Sequence, residues 1–175
     1  MNNFEKVYEA AAEQYGLVTV EGAARLGVHR KQLLSWEKMG RLERCGRGVY
    51  RLHHHVPTPY DHYAEAVALV GDGAIIYGDG VLAMHNLALV NPSQIQVAAP
   101  KRVRKELPRW IRLVRKTPDV KEELFEGIPC QTVADAIRTC KDTVIKERLL
   151  DATDQAEQQG LIGRHEYQEL KKEFA

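Results

Sequence analysis

The chain has 175 residues, 28% of them charged, and a net charge of +1, so it can hold one domain or two small ones and any charge excess must be local. No apolar run approaches the ~20 residues that span a bilayer. Three cysteines (Cys45, Cys130 and Cys140) without CxxC spacing argue against a disulfide framework or a zinc finger, and reduced thiols are expected. The N-terminal stretch MNNFEKVYEAAAEQYG is charged and amphipathic and lacks the apolar centre of a signal peptide, which predicts a soluble, cytoplasmic protein.

Phe4, Val7, Tyr8, Ala11, Ala12 and Tyr15 recur at helical spacing and predict a first helix with one buried face, ended by Gly16 and packed beneath the next two helices. A second helix is predicted from Val20 to Leu26, N-capped by Thr19 and stopped by Gly27, with Ala23, Ala24 and Leu26 facing the core. A third runs from His29 to Met39 and stops at Gly40. Its Leu33 and Trp36 stand at i, i+3 and share the buried face. Two strands, Arg41 to Arg44 and Gly48 to Leu52, flank a Cys45-Gly46-Arg47 turn. Two helices joined by a tight turn and followed by a hairpin make a winged helix-turn-helix, a unit that lays its second helix in a major groove.

Charge coincides with this unit. Between Arg25 and Arg51 the basic residues are Arg25, Arg30, Lys31, Lys38, Arg41, Arg44, Arg47 and Arg51, against Glu37 and Glu43 alone. A localised basic face is the footprint of a polyanion partner. The expected DNA-contacting set is His29, Arg30, Lys31, Gln32, Ser35 and Lys38 from the reading helix, with Arg41, Arg44, Arg47 and Arg51 from the wing. Trp36 is read as a core aromatic.

His53-His54-His55-Val56-Pro57-Thr58-Pro59 reads as a linker, and from Pro57 to Pro100 there is no lysine or arginine. The expected domains are therefore 1–56, a winged helix-turn-helix, and 57–175, a mixed α/β domain, an α+β protein overall. In the second part the pattern predicts a helix from Tyr60 to Val70, an apolar run from Ala74 to Tyr77 and a helix VLAMHNLAL opened by Gly78-Asp79-Gly80. Strands are predicted at Ile95 to Ala98 and Trp110 to Val114. Thr132 and Asp135 resemble a capping box before helices at Val133 to Thr139, Thr143 to Gln159 and His165 to Phe174.

No constellation assembles into a catalytic site. If the wing strand extends, His53 and His55 share a face suited to zinc or copper, but no recognised set of further ligands accompanies them, and a polar linker that can touch phosphate when protonated is preferred. The segment from Gly71 to Gly80 lacks a Walker lysine and carries aspartates, and the serines, Ser35 and Ser93, sit in no nucleophile elbow. No metal and no cofactor is expected. A second basic run, Lys101, Arg102, Arg104, Lys105, Arg109, Arg112, Arg115 and Lys116, reads equally as a second phosphate-contacting surface, an RNA or acidic-partner surface, or a loop bridging to the acidic helices after Pro118.

The pattern Gly16-Leu17-Val18-Thr19, Ala23-x-x-Leu26-Gly27-Val28, Gly40-Arg41-Leu42-Glu43-Arg44 and Arg47-Gly48-Val49-Tyr50-Arg51 resembles the N-terminal winged helix of AbiEi-type antitoxins of type IV toxin–antitoxin systems. Leu82-Ala83-Met84-His85-Asn86-Leu87 looks like that family's alanine–x–histidine–glycine–leucine helix, with Asn86 in place of glycine, and Gly127-Ile128-Pro129 before Thr132-Val133-Ala134-Asp135 looks like its later strand-to-helix step. The resemblance implies a repressor that binds inverted repeats of double-stranded DNA in its own promoter, as a homodimer or by paired binding. It also implies a C-terminal domain that counters a nucleotidyltransferase-like toxin; since no catalytic cluster assembles from Tyr60 to Ala175, no enzymatic activity is expected. The competing readings are a DNA-targeted small nuclease or nucleotidyltransferase, and a non-catalytic interaction module.

Overall fold

A computed structural model describes all residues, 1–175. The elements run α1 (Asn3–Ala12), β1 (Leu17–Thr19), α2 (Val20–Arg25), α3 (Arg30–Lys38), β2 (Leu42–Gly46), β3 (Val49–Leu52), α4 (Asp61–Val70), β4 (Ile75–Ile76), α5 (Asp79–Met84), β5 (Ile95–Ala99), β6 (Ile111–Arg115), β7 (Glu122–Phe125), β8 (Ile128–Gln131), α6 (Val133–Thr139), α7 (Lys146–Gln158) and α8 (Arg164–Glu173). The architecture is α+β, a winged-helix-like N-terminal region followed by a mixed α/β region. No helix is long and apolar enough to cross a membrane.

Two compact units separate. The first comprises Met1–Asp72 with Arg104–Pro108, the second Gly73–Val103 with Arg109–Ala175. Helix α4, which the sequence pattern assigns after a boundary near residue 57, therefore packs with the winged helix.

In the first unit α1 starts on a reciprocal cap: the Asn2 side chain accepts from the Glu5 N–H at 2.9 Å, and Glu5 accepts from the Asn2 N–H at 2.8 Å. It ends at Ala12, earlier than the apolar spacing suggests, because Tyr15 takes a left-handed φ of 58° and turns the chain into β1. Thr19 caps α2 as expected, accepting from the Gly22 N–H at 2.9 Å. Helix α2 is only six residues long, so one position faces inward: Ala23 is buried, whereas Ala24 and Leu26 are exposed, and Val28 after the turn fills the core instead. Val7, Ala11, Val18, Ala23, Val28, Leu33, Trp36, Leu42, Tyr50 and Leu52 form this core, with Phe4 packed against it. The sheet has the order β1-β3-β2, antiparallel throughout, so β1 is a third strand beside the expected hairpin. The wing turn is Arg47-Gly48, not Cys45-Gly46-Arg47: Gly46 pairs with Val49, and the register shifts between Arg44 and Gly46. That irregularity absorbs Cys45 as an extra residue in the strand.

The second unit holds a five-stranded sheet of order β6-β5-β4-β8-β7, mixed in direction: β5–β6 and β4–β8 are parallel, β4–β5 and β7–β8 antiparallel. Helix α5 ends at Met84, shorter than the predicted VLAMHNLAL helix, because Asn86, Ala88 and Leu89 all take positive φ. The Thr132–Asp135 capping box does not form. Thr132 makes no side-chain cap, and Asp135 pairs instead with Arg138 at 2.9 Å. Arg138 also pairs with Glu169 and Glu173, which joins α6 to α8. Glu122–Phe125, unmarked in the sequence pattern, forms the edge strand β7.

Candidate nucleic-acid interface

Helix α3 is held at its start and along its inner face. At its start the His29 Nδ1 accepts from the Lys31 N–H at 3.3 Å, and Gln32 Oε1 accepts from the His29 N–H at 3.2 Å, a reciprocal cap. The same Gln32 oxygen accepts from Asn3 Nδ2 at 3.3 Å, which ties α1 to the start of α3. On the inner face Leu33 is wholly buried and Trp36 nearly so, as their spacing predicts. The Trp36 ring meets Phe4 edge-on at 5.1 Å between centroids. These interactions leave Arg30, Lys31, Ser35 and Lys38 exposed on the outer face, and none of the three cations there is in an ion pair.

The structure sorts the expected DNA-facing residues. Arg47 stands at the tip of the wing, exposed, and Arg44 is exposed on β2, its Nε donating to the Gly46 carbonyl at 3.4 Å. Arg41 is exposed, with its guanidinium 4.7 Å above the Phe4 ring. Ser35 donates to the Met39 sulfur at 3.7 Å. Two residues leave the expected surface. Gln32 spends its carbonyl oxygen on the cap, and a bidentate adenine contact needs both ends of the amide. Arg51 turns away from the wing: Nη1 pairs with Glu65 at 2.9 Å, Nε donates to the Tyr15 carbonyl at 3.3 Å and Nη2 to the Asp61 carbonyl at 3.5 Å.

The histidines do not converge. β3 stops at Leu52, and His53 and His55 take separate carboxylates, Glu43 at 2.8 Å and Asp61 at 3.0 Å. The thiol of Cys45 is pushed up to about 11, first by burial and then by Glu65, so it stays protonated.

The second basic run is divided between the units, Arg104 and Lys105 belonging to the first and the remainder to the second. Lys101, Arg102, Arg104 and Arg109 are exposed, as are Arg112 and Arg115 on the edge strand β6, while Lys105 is half-buried. Lys116 is structural, largely buried, donating to the Gly73 carbonyl at 2.6 Å and pairing with Glu122 at 2.9 Å.

A three-stranded sheet carrying a tight helix pair and an outward basic helix places the N-terminal region in the winged-helix class of folds. Residues 5–53 match the sequence model of the family described as transcriptional regulator, AbiEi antitoxin. The whole fold is similar to the crystal structure of the RV2827C protein from Mycobacterium tuberculosis, with a TM-score of 0.50 at 13% identity, over 96% of this chain and 70% of that one. No curated protein matches the chain.

Proposed function

We propose that this protein is a sequence-specific DNA-binding repressor, the autoregulating antitoxin of a type IV toxin–antitoxin system that counters a nucleotidyltransferase-like toxin. The observation that carries the reading is the set of exposed cations on α3 and the wing tip (Arg30, Lys31, Lys38 and Arg47), none in an ion pair, inside the segment that matches a transcriptional-regulator family. The reading helix enters the major groove by its N-terminal end, where Arg30 and Lys31 reach bases or adjacent phosphates, and the wing lays Arg44 and Arg47 on the flanking backbone. Arg41 contributes charge from its perch over Phe4. The protein acts without catalysis and binds an inverted repeat by pairing two copies. The test is titration of labelled promoter DNA with the full chain over a range of salt. Sequence-selective binding with a negative salt slope supports the reading, and equal, salt-insensitive affinity for any duplex refutes it.

A further inference from the structure

We propose that His85, Glu123 and Cys130 form a zinc-binding site in the second unit, with water as the fourth ligand. The three residues come from separate elements: His85 caps the end of α5, and Glu123 and Cys130 stand directly opposite each other on the β7–β8 hairpin. One ring nitrogen, one carboxylate oxygen and the sulfur lie within 4.8 Å of one another. Donors at about 2.0–2.3 Å from a tetrahedral zinc stand roughly 3.3–3.8 Å apart, so modest side-chain movements close the set.

The second observation is an unsatisfied group. His85 is 7% exposed, and its Nε2 is buried with no hydrogen-bond partner. Buried polar atoms in folded proteins are paired with few exceptions, and a ligating histidine held beside a sulfur and a carboxylate is a recognised reason for one. The Phe125 ring packs on the imidazole at 4.0 Å between centroids and fixes its plane.

The surroundings suit a dication. The Val133 N–H donates to the Glu123 carboxylate, and Glu166 adds a second negative charge nearby. Glu123 is exposed and opens the otherwise buried site to solvent. On binding, the Cys130 thiol loses its proton to solvent, and thiolate plus carboxylate balance the two charges of the metal. Nitrogen and sulfur donors select zinc over magnesium or calcium.

The experiment uses the full chain, freed of metal by a chelator and titrated with cobalt(II) as a spectroscopic stand-in for zinc. A thiolate-to-cobalt charge-transfer band and the visible bands of a tetrahedral ion, saturating at one equivalent and bleached by zinc, are expected. Cys130→Ser abolishes the charge-transfer band, whereas Cys45→Ser and Cys140→Ser keep it. Glu123→Gln alters an exposed side chain and weakens cobalt binding roughly tenfold or more, which decides the matter even if Cys130→Ser fails to fold. No band in the unsubstituted protein, a band that survives Cys130→Ser, or undiminished affinity in Glu123→Gln overturns the proposal.

Discussion

Arg51 of β3 and Glu65 of α4 are joined by an ion pair of 2.9 Å, with side chains only 18% and 13% exposed. One cation of a basic hairpin is thereby converted into a strut. The guanidinium also donates to the carbonyls of Tyr15 and Asp61, so one side chain gathers the end of the α1 segment, the wing sheet and α4.

Removing it is a stability experiment. Arg51→Ala lowers the free energy of unfolding by about 1.5–3 kcal/mol, because it leaves the largely buried Glu65 carboxylate without its partner. The double variant Arg51→Met/Glu65→Leu recovers most of this loss. Denaturant titration measures both. Non-specific DNA affinity of folded Arg51→Ala stays that of the parent, and a loss of affinity at unchanged stability would return Arg51 to the DNA-facing surface.

The His55–Asp61 pair gives the first unit an acid limit. Burial by itself would raise the Asp61 carboxyl, but hydrogen bonds from the Thr58 hydroxyl and the His55 ring outweigh it and hold the group below its ordinary value. A carboxyl depressed in the folded state contributes stability that is complete above its unfolded value of about 4 and is lost as pH falls through the lower folded value. Asp61→Asn therefore reduces stability at neutral pH and flattens its decline below about pH 4. Unfolding curves across that range check it, and parallel curves for the two proteins would exclude the role.

Gly46 has no side chain for a positional reason. A Cβ there would collide with Cδ2 of Leu69 on α4, and Leu69 is 2% exposed, with little room to yield. Gly46→Ala costs about 1–3 kcal/mol by overpacking. Leu69→Ala is destabilising alone, yet relieves part of the Gly46→Ala penalty, a coupling that a double-mutant cycle on full-length protein reads directly.

On DNA, Lys31→Ala/Arg47→Ala weakens binding to all sequences and reduces the salt slope by roughly 2, since each substitution leaves one phosphate with its counterions still in place. Arg30→Ala costs ~1–3 kcal/mol on the operator and little on random duplex if it reads a base. Fluorescence anisotropy against both duplexes separates the effects, and an unchanged slope in the pair variant removes α3 and the wing tip from the interface.

How far the sequence exposes this arrangement depends on whether a signal is local. Thr19, Gly27 and Gly40 bracket α2 and α3 at the expected places, because caps and left-handed stops are chosen by single residues; both glycines adopt φ of 77°. Leu33 and Trp36 are readable from one helical face. Leu17–Thr19 is not, since three residues become a strand only when β3 pairs with them. Glu122–Phe125 escapes for a related reason: an edge strand exposed along most of its length lacks the apolar alternation that marks a half-buried one. The roles of Gln32 and Arg51 are hidden because Asn3 and Glu65, the partners that redirect them, lie outside the helix and the strand on which they stand. His85, Glu123 and Cys130 are too far apart in the chain for any spacing rule to join them.

A further expectation concerns the division of labour. On the proposed function, Lys31→Ala/Arg47→Ala in the full chain abolishes repression of a promoter reporter yet still rescues cells co-expressing a cognate toxin, because neither residue belongs to the second unit. Rescue that fails together with repression, in protein shown to be folded, would make the winged helix part of the antitoxin activity.

The parallel pairing of Ile76 with Cys130 imposes an order on folding. The strands of the first sheet end at Leu52, whereas β4, the middle strand of the second sheet, pairs first with β5 and, much later in the chain, with β8. Domains made first fold first. The sheet of the first unit therefore has all its strands before the second sheet has its full set of partners.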